Sequence, residues 1–438
     1  MDVSVILPVV NERENLAKLI PRLKAALERE ALSYEVVVID GNSTDGTPEA
    51  ASAMGARVVP ERRRGYAGAM MTGFAEARGD YLLTLDADLS HDPDFFPRMW
   101  RARTCGDIVI ASRYVRGAVS YNSLMRGKLS DLLNWTLRRA LAMPVGDLSS
   151  GFRLYRREAV ENIEIESRNF EMQEEVLAKA WANGFSVVEI PFTYFPRGAG
   201  TSHARIVRFG IDLARSALKL RRLRNSPASA DYEERAFYSL SPLERRWQRQ
   251  RHRIIVGWAR GAARVLDAGC GSSVIVQSLN NAVAMDSKAA KLRFLRRHGI
   301  ALVRGTAMEL PFRGGSFDCL VSSRTLERLP RDEKLFAEMR RVLKSDGILI
   351  LGTLDHSALG WRAARPLQKL LVPDGYGQCA TRYTRAELEE ILLRHGFALQ
   401  ESEYVAGVEI ILKCRKVGIG GNVAVAACAE PSARPGAA

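Results

Sequence analysis

Short apolar runs, separated by amphipathic or polar stretches, occupy most of the chain. The runs 3–10, 35–39, 81–85 and 107–111 are rich in Val, Ile and Leu. Residues 14–30, between the first two runs, instead have apolar positions at helical spacing. Continuous apolar runs that alternate with helices are typical of parallel strands buried on both faces. The pattern therefore predicts an α/β domain built on a parallel sheet.

A second series of the same kind begins after residue 260. Its apolar runs are 264–267, 282–286, 318–322 and 347–353. The segment between the two series is rich in small and turn-forming residues, which is typical of a linker. The tail is rich in Gly, Ala and Pro, and we expect it to be disordered. The predicted organisation is a first domain over 1–224, a linker over 225–231, a second domain over 232–416 and a tail over 417–438.

The net charge and the placement of the cysteines limit the binding partners and the cellular compartment that we expect for the protein. The net charge of +14 divides into −5 for residues 1–100, +9 for 101–225 and +10 for 226–438. Because no nucleic-acid motif accompanies the basic residues, we expect an anionic membrane surface or a phosphate as partner, and no nucleic acid. A merely solvated basic surface is the alternative. Six scattered cysteines, no signal sequence and no apolar run of roughly 18 residues predict a cytoplasmic, peripheral membrane protein.

The sharpest chemical signal is an acidic turn after the apolar run 81–85. Asp86 and Asp88 are two residues apart, at the predicted carboxyl end of a strand. Two such carboxylates can converge on one hard divalent cation, which would bridge the diphosphate of a nucleotide. Ligands of parallel α/β sheets bind at this edge. The alternative is an ordinary Asp-rich turn that caps the following segment.

Several other segments accompany the acidic turn in a fixed order. They are Pro8-Val9-Val10-Asn11-Glu12, Asp40-Gly41-Asn42-Ser43, Arg64-Gly65-Tyr66, Ser112-Arg113-Tyr114, Asp147-Leu148-Ser149-Ser150-Gly151-Phe152-Arg153 and Gln173-Glu174-Glu175. Together these segments resemble family 2 glycosyltransferases with the GT-A fold. Within that family the chain is similar to the dolichyl- or polyprenyl-phosphate mannose synthases. The resemblance covers roughly residues 2–224.

The resemblance implies a role for particular residues. The implied donor-binding residues are Pro8, Asn11, Glu12, Asp40 and Asp86. The implied ligands of Mg²⁺ or Mn²⁺ are Asp86, Asp88 and Ser90, with Asp88 as the catalytic residue. The implied ligands of the acceptor phosphate are Arg113, Arg126 and Ser130.

The implied reaction transfers a hexose with inversion, by a single in-line displacement. The metal would neutralise charge on the departing nucleotide diphosphate. A phosphate acceptor is already anionic, so it needs arginine forks to hold it rather than a base. We expect mannose transfer from GDP-mannose to polyprenyl phosphate at the cytoplasmic membrane face. Glucosyl transfer from a UDP-sugar, to lipid phosphate or to a glycan hydroxyl that needs a base, remains the alternative.

Two helical segments carry features of membrane contact. In residues 206–222, apolar positions recur at helical spacing beside a stripe of Arg and Lys. Residues 124–143 contain several Leu residues and a Trp. A basic amphipathic helix suits the headgroup region of a bilayer. The alternative is that both helices simply pack on the sheet.

The second series opens with Val265-Leu266-Asp267-Ala268-Gly269-Cys270-Gly271, and Asp286 ends the next run. A glycine turn after a strand lets the backbone approach a ligand, and an acidic residue further on can bind ribose. With 316–318 and 338–344, this segment resembles class I S-adenosylmethionine-dependent methyltransferases, which have a Rossmann-like fold. The implied cofactor-binding residues are Asp267, Gly269, Gly271 and Asp286. By this resemblance, Gly269 and Gly271 would flank the methionine part of S-adenosylmethionine, and Asp286 would bind the ribose. A docking module without catalysis is the alternative.

Overall fold

The computed structural model shows two compact units, Met1–Tyr232 and Glu233–Ala438. It describes residues 1–121, 124–194, 206–358 and 380–418, without the side chains of 120, 124–130 and 206–213. The predicted tail beyond residue 418 therefore lies outside the described residues. None of the helices in the described ranges is long and apolar enough to cross a membrane.

The first unit is built on a seven-stranded mixed sheet. Its strand order is β3-β2-β1-β4-β7-β5-β8, and β6 and β9 form a separate two-stranded sheet. The strands are β1 (Val3–Val9), β2 (Tyr34–Asp40), β3 (Arg57–Pro60), β4 (Tyr81–Thr84), β5 (Ile108–Ser112), β6 (Val119–Ser120), β7 (Arg153–Arg156), β8 (Val187–Pro191) and β9 (Thr193–Tyr194).

Helices connect and cover these strands. In the first of them, Leu16, Leu19, Ile20, Leu23 and Leu27 are fully buried at helical spacing, so one face packs on the sheet. The helices are α1 (Arg13–Glu28), α2 (Thr47–Ala53), α3 (Tyr66–Glu76), α4 (Phe96–Ala102), α5 (Leu124–Leu141), α6 (Met172–Ala182) and α7 (Ile206–Arg224).

The predicted α/β class is confirmed, but the prediction of a purely parallel sheet is wrong. Strand β7 lies between β4 and β5 and is antiparallel to both. Its sequence, Arg-Leu-Tyr-Arg, has charged residues at both ends, and a four-residue strand of this kind carries no continuous apolar signal. Because β4 and β5 each run opposite to β7, they point the same way and end at the same edge of the sheet.

The segment predicted as a linker is held to the first unit at both ends. Arg224 is fully buried and donates from Nη2 to Asp231 Oδ2 (2.6 Å) and from Nη1 to Asp231 Oδ1 (2.7 Å). The indole of Trp181 donates to the same carboxylate at 2.9 Å. A buried, bidentate arginine–carboxylate pair with a further donor is well satisfied. Residues 225–231 thus form a turn closed on α7 rather than a free connection.

The second unit is also a sheet with connecting helices, but its strand order differs from that of the first unit. Its strand order is β12-β11-β10-β13-β14-β16-β15, in which β16 is antiparallel to both of its neighbours. The strands are β10 (Val265–Ala268), β11 (Ala282–Asp286), β12 (Ala301–Arg304), β13 (Phe317–Ser323), β14 (Leu343–Leu354), β15 (Phe397–Val405) and β16 (Glu409–Lys416). The helices are α8 (Tyr232–Phe237), α9 (Pro242–Ala259), α10 (Val274–Gln277), α11 (Ala289–Leu295), α12 (Lys334–Val342) and α13 (Arg385–Arg394).

Candidate active site

The strand order of the first unit brings four chain segments to one edge of the sheet. Strand β2 ends at Asp40, Asp86 follows β4, Arg113 follows β5, and Gly151 precedes the antiparallel β7. Thr84 Oγ1 donates to the carbonyl of Gly151 at 2.8 Å and so joins two of these segments. The site residues that the sequence predicts on β2, β4 and β5 therefore share one edge.

The loops after β1 and β2 are tied into one wall of this edge. Asn11 Oδ1 accepts from the amide of Thr44 at 2.8 Å, and Ser43 Oγ accepts from the amide of Asn11 at 2.9 Å. The Asp40 carboxylate accepts from the amide of Ser43 at 3.2 Å. Thr47 Oγ1 accepts from the amide of Glu12 at 3.0 Å. These bonds fix Asn11, Glu12 and Asp40 beside one another. Pro8, which the sequence also predicts as a donor-binding residue, lies on β1 and pairs with Ile39 of β2.

His91 fixes the backbone of the acidic turn. The amide of Asp86 donates to His91 Nδ1 at 3.1 Å, so this nitrogen carries no proton and the ring is neutral. Burial lowers the pKa of His91, in agreement with that state. Its ring stacks on Phe152 with centroids 5.2 Å apart. The 4.0 Å approach of His91 Nδ1 to the Asp86 carboxylate is therefore a polar contact rather than an ion pair.

Asp88 and Ser90 complete the turn. Both residues are buried, and Asp88 Oδ1 accepts from the amide of Ser90 at 3.1 Å. Across the described ranges, no group of three or more His, Cys, Asp or Glu side chains could hold a metal. Mg²⁺ usually takes one or two carboxylates together with substrate phosphates, so the donor set at Asp86 and Asp88 fits that cation. The metal role of Ser90 stays a prediction.

Tyr66 and Gln173 adjoin the acidic turn, although the sequence assigns them no role. Gln173 Nε2 donates to Tyr66 Oη at 2.6 Å, and burial and the Asp86 charge raise the pKa of Tyr66. A Cβ added to Gly151 would lie 3.3 Å from Tyr66 Oη and 3.5 Å from Asp86 Oδ1. Gly151 therefore lets the backbone of the site approach both side chains. The two partners are 107 residues apart, and no local pattern links them.

Arg113 is anchored at the edge by a buried carboxylate. Its Nε donates to Asp147 Oδ2 (2.9 Å) and its Nη2 to Asp147 Oδ1 (2.8 Å) and to Ser149 Oγ (2.9 Å). Burial opposes ionisation of Asp147, but the bonds from Arg113 lower its pKa overall. Within the described part of the chain, Nη1 of Arg113 makes no hydrogen bond. Arg113 is thus oriented with part of its fork still available to an anion.

The other two predicted phosphate ligands lie on α5. Arg126 and Ser130 belong to its first two turns, but their side chains lie outside the described residues. Further along, the side chain of Asn134 is buried and donates to the carbonyl of Gly146, while its Oδ1 accepts from the amide of Leu148 at 3.1 Å. Asn134 therefore ties α5 to the loop that holds Asp147.

A buried charged cluster lies behind Gln173. Arg153 is fully buried and donates to the carbonyls of Gln173 (2.8 Å) and Leu148 (2.6 Å). Glu174 is also buried, and its Oε2 has no hydrogen-bond partner in the described structure. Burial raises the pKa of Glu174 to about 7, although its backbone and Arg153 act the other way. This carboxyl is therefore close to half protonated at neutral pH.

The glycine turn of the second unit follows β10. Both Gly269 and Gly271 have positive φ (85° and 56°), a conformation that favours glycine. The Asp286 carboxylate accepts from the amide of Gly271 at 2.9 Å. A glycine turn lets the backbone approach a nucleoside cofactor closely, and an acidic residue at the end of the neighbouring strand can bind the ribose hydroxyls. The residues present here fit such a cofactor. Asp267 is buried within β10, and burial, with the Asp286 charge, raises its pKa to about 7.

Two protein-family profiles match the chain. The profile described as "Glycosyl transferase family 2" matches residues 4–164, and the one described as "Methyltransferase domain" matches residues 266–351. The chain therefore contains a family 2 glycosyltransferase domain followed by a methyltransferase domain. This confirms the predicted pairing of a GT-A-type domain with a Rossmann-like domain. The sheets of both domains are mixed and not parallel throughout.

Curated relatives match a little less than half of the chain. A protein named "Dolichol-phosphate mannosyltransferase" from Pyrococcus furiosus is 38% identical over 212 residues, covering 46% of this chain and 59% of the relative. The "Low-salt glycan biosynthesis hexosyltransferase Agl6" from Haloferax volcanii is 33% identical over 202 residues, covering 44% and 48%. The chain thus spans about half of the length of these relatives.

Solved structures match parts of the chain. Glucosyl-3-phosphoglycerate synthase from Mycobacterium tuberculosis, in complex with Mn²⁺, UDP and glucosyl-3-phosphoglycerate, is 20% identical. That match covers 50% of this chain and 79% of that one, with a TM-score of 0.40. A possible histamine N-methyltransferase from Thermotoga maritima is 19% identical over 39% of this chain and 95% of that one, with a TM-score of 0.32.

We predict that Glu174→Gln stabilises the protein more at pH 8 than at pH 5. The unfolded chain releases this proton near pH 4.5, whereas the folded chain keeps it until about pH 7. Stability is therefore lost as pH rises between those values, by roughly 2–3 kcal/mol. Urea unfolding at both pH values measures the difference.

Glu175→Gln is the matched control for that experiment. The Glu175 carboxylate accepts from the amides of Glu166 and Ser167 and pairs with Lys179 at 2.6 Å. Although burial opposes it, these bonds lower the pKa of Glu175. The control should therefore destabilise the protein at both pH values. An equal, pH-independent effect of Glu174→Gln would contradict the assignment.

Proposed function

We propose that the first unit transfers a hexose from a nucleotide diphosphate to polyprenyl phosphate, with inversion and with Mg²⁺ or Mn²⁺. The favoured donor is GDP-mannose. The favoured location is the cytoplasmic face of a membrane, since the cysteines among the described residues (Cys105, Cys270, Cys319 and Cys414) are free thiols. The second unit is proposed to bind S-adenosylmethionine, which supplies a methyl group from its sulfonium when bound.

The observation that carries this proposal is the acidic turn at the shared sheet edge. Asp86 and Asp88 follow β4, which is a neighbour of β1 in the sheet, and β1 in turn pairs with β2. The loops after β1 and β2 carry Asn11, Glu12 and Asp40, so this strand order supports one shared site. A cation held by the two aspartates would face a nucleotide seated against these loops. In that position it would neutralise charge on the departing diphosphate.

The name of the Pyrococcus relative, together with Arg113, supports a lipid phosphate acceptor. Arg113 is held in place by Asp147 and Ser149, so its remaining N–H groups are already oriented for an anion. An anionic phosphate nucleophile needs no proton removed, so a positioned cation is sufficient at this point. A glycan hydroxyl as acceptor, or a UDP-sugar as donor, is the competing possibility.

Helix α5 supports the proposed membrane location. Leu132, Leu133 and Trp135 have exposed fractions of 59%, 40% and 60%, whereas Leu137 and Leu141 on the same helix are buried. An exposed Trp beside two exposed Leu residues forms an apolar face of the kind that enters the headgroup boundary of a bilayer. The same helix carries the predicted phosphate ligands Arg126 and Ser130, so a lipid acceptor would meet both features together.

We predict that purified protein converts radiolabelled GDP-mannose and a short polyprenyl phosphate to polyprenyl phosphomannose, and that EDTA stops the reaction.

Asp88→Asn should lower kcat by at least about a hundredfold, because charge on the leaving diphosphate is no longer neutralised. Asp94→Asn is the control, since Asp94 is exposed and pairs with Arg22 and Arg29. Product from UDP-glucose alone would replace the donor assignment, and full activity of Asp88→Asn would refute the metal site.

Arg126→Ala should raise the KM for polyprenyl phosphate by about tenfold or more while changing the KM for the donor little. The reason is that a guanidinium that holds the acceptor phosphate contributes binding to that substrate only. Arg139→Ala, an exposed arginine in the last turn of α5, serves as the control. Equal rises in both KM values for Arg126→Ala would count against the acceptor role.

The double variant Leu132→Ser/Trp135→Ser should bind less to vesicles of phosphatidylcholine with phosphatidylglycerol. Losing two inserted apolar side chains should weaken binding by about tenfold or more in a sedimentation assay. Leu393→Ser is the control, because Leu393 is similarly exposed (52%) but belongs to α13 of the second unit. Unchanged binding of the double variant would remove α5 from the membrane contact.

A further inference from the structure

The glycine turn of the second unit already holds a carboxylate from the chain itself. Glu233, the second residue of α8, places Oε2 2.6 Å from Ser272 Oγ and 3.2 Å from the amide of Ser272. The ammonium group of Lys291 lies 2.5 Å from the same oxygen. A hydroxyl, an amide and an ammonium group thus converge on one anionic oxygen.

These side chains are largely buried and do not lie on the protein surface. The side chain of Lys291 is 1% exposed and that of Glu233 is 16% exposed, so water screens the ion pair poorly. A Cβ added to Gly271 would lie 2.8 Å from the carboxyl carbon of Glu233, which places that carboxyl directly against the turn. Burial opposes ionisation of Glu233, but Lys291 lowers its pKa overall, and the group is therefore an anion at neutral pH.

The glycine turn is also where the methyltransferase resemblance puts the methionine part of the cofactor. S-adenosylmethionine carries a carboxylate on that part of the molecule. The donors that hold Glu233 are those that a ligand carboxylate requires: a backbone amide, a hydroxyl and a cation. Two carboxylates cannot share one buried ammonium group without strong repulsion.

We infer that Ser272 and Lys291 form the site for the methionine carboxylate of S-adenosylmethionine, and that Glu233 occupies this site in the structure described. Cofactor binding then requires the Glu233 carboxylate to leave this site. Only molecules in which Glu233 has left the site can bind the cofactor. The apparent affinity of the domain is therefore its intrinsic affinity multiplied by the fraction of such molecules. This inference rests on the S-adenosylmethionine binding proposed for the second unit, and it does not depend on the glycosyl transfer proposed for the first.

Calorimetric titration of the full-length protein with S-adenosylmethionine tests the inference. Glu233→Ala should bind the cofactor at least about tenfold more tightly than the natural sequence, because the competing carboxylate is gone. Glu233→Gln should also bind more tightly, since a neutral amide is a weaker partner for Lys291. This second variant keeps the size of the side chain and guards against loss of folding, which thermal unfolding checks.

Decarboxylated S-adenosylmethionine separates the carboxylate effect from a general opening of the pocket. Because it has no carboxylate to place at Ser272 and Lys291, its affinity should rise much less in Glu233→Ala than that of the intact cofactor. Glu234→Ala is the control, since Glu234 contacts Gln277 and His298 instead of the glycine turn. It should leave both affinities unchanged.

Three outcomes would overturn the inference. Weaker binding of S-adenosylmethionine by Glu233→Ala would make Glu233 a cofactor contact rather than a competitor. Equal gains for the intact and the decarboxylated cofactor would place the carboxylate elsewhere. Failure of the natural protein and of both Glu233 variants, folded as judged by thermal unfolding, to bind either compound would refute the proposed cofactor and the inference with it.

Discussion

Three hydrogen bonds fix the acidic turn after β4. The positions of the other residues of the first site matter only if this turn is held in place. His91 accepts from the amide of Asp86, the amide of Ser90 closes on Asp88, and Thr84 joins the end of β4 to Gly151. These bonds hold the backbone of the turn and the Asp88 carboxylate through contacts within the protein. A site organised in advance loses little free energy in reorganisation when charge develops on a substrate.

The strands that the sequence predicted are those with a continuous apolar signal. Val3–Val9 and Tyr34–Asp40 have almost fully buried central residues, and their apolar runs end within one residue of the strands. Strand β7 could not be found in this way, because its Arg153 is buried through bonds to backbone carbonyl groups, one of them on Gln173, 20 residues away. A charged residue satisfied by tertiary contacts looks like a surface residue in a single sequence.

The same distinction applies to the candidate sites. The acidic turn and the glycine turn are local patterns at strand ends, so the sequence located both. The pairs Tyr66–Gln173, Arg113–Asp147 and Glu233–Lys291 join residues 34 or more positions apart, and only the fold brings them together. Each pair changes the interpretation of a predicted residue. Arg113 has a fixed orientation, Asp86 has a phenol nearby, and the glycine turn contains a competing anion.

We propose that the aspartates at the sheet edge hold a nucleotide diphosphate through a divalent cation. Calorimetric titration of GDP and UDP into the protein, with and without Mn²⁺, measures this interaction. We expect Mn²⁺ to tighten binding of the diphosphate, but not of the corresponding monophosphate, by about tenfold or more. This gain should disappear when Asp86 and Asp88 are both replaced by Asn. Diphosphate binding that is indifferent to the metal, or a gain that survives the double replacement, would contradict this proposal.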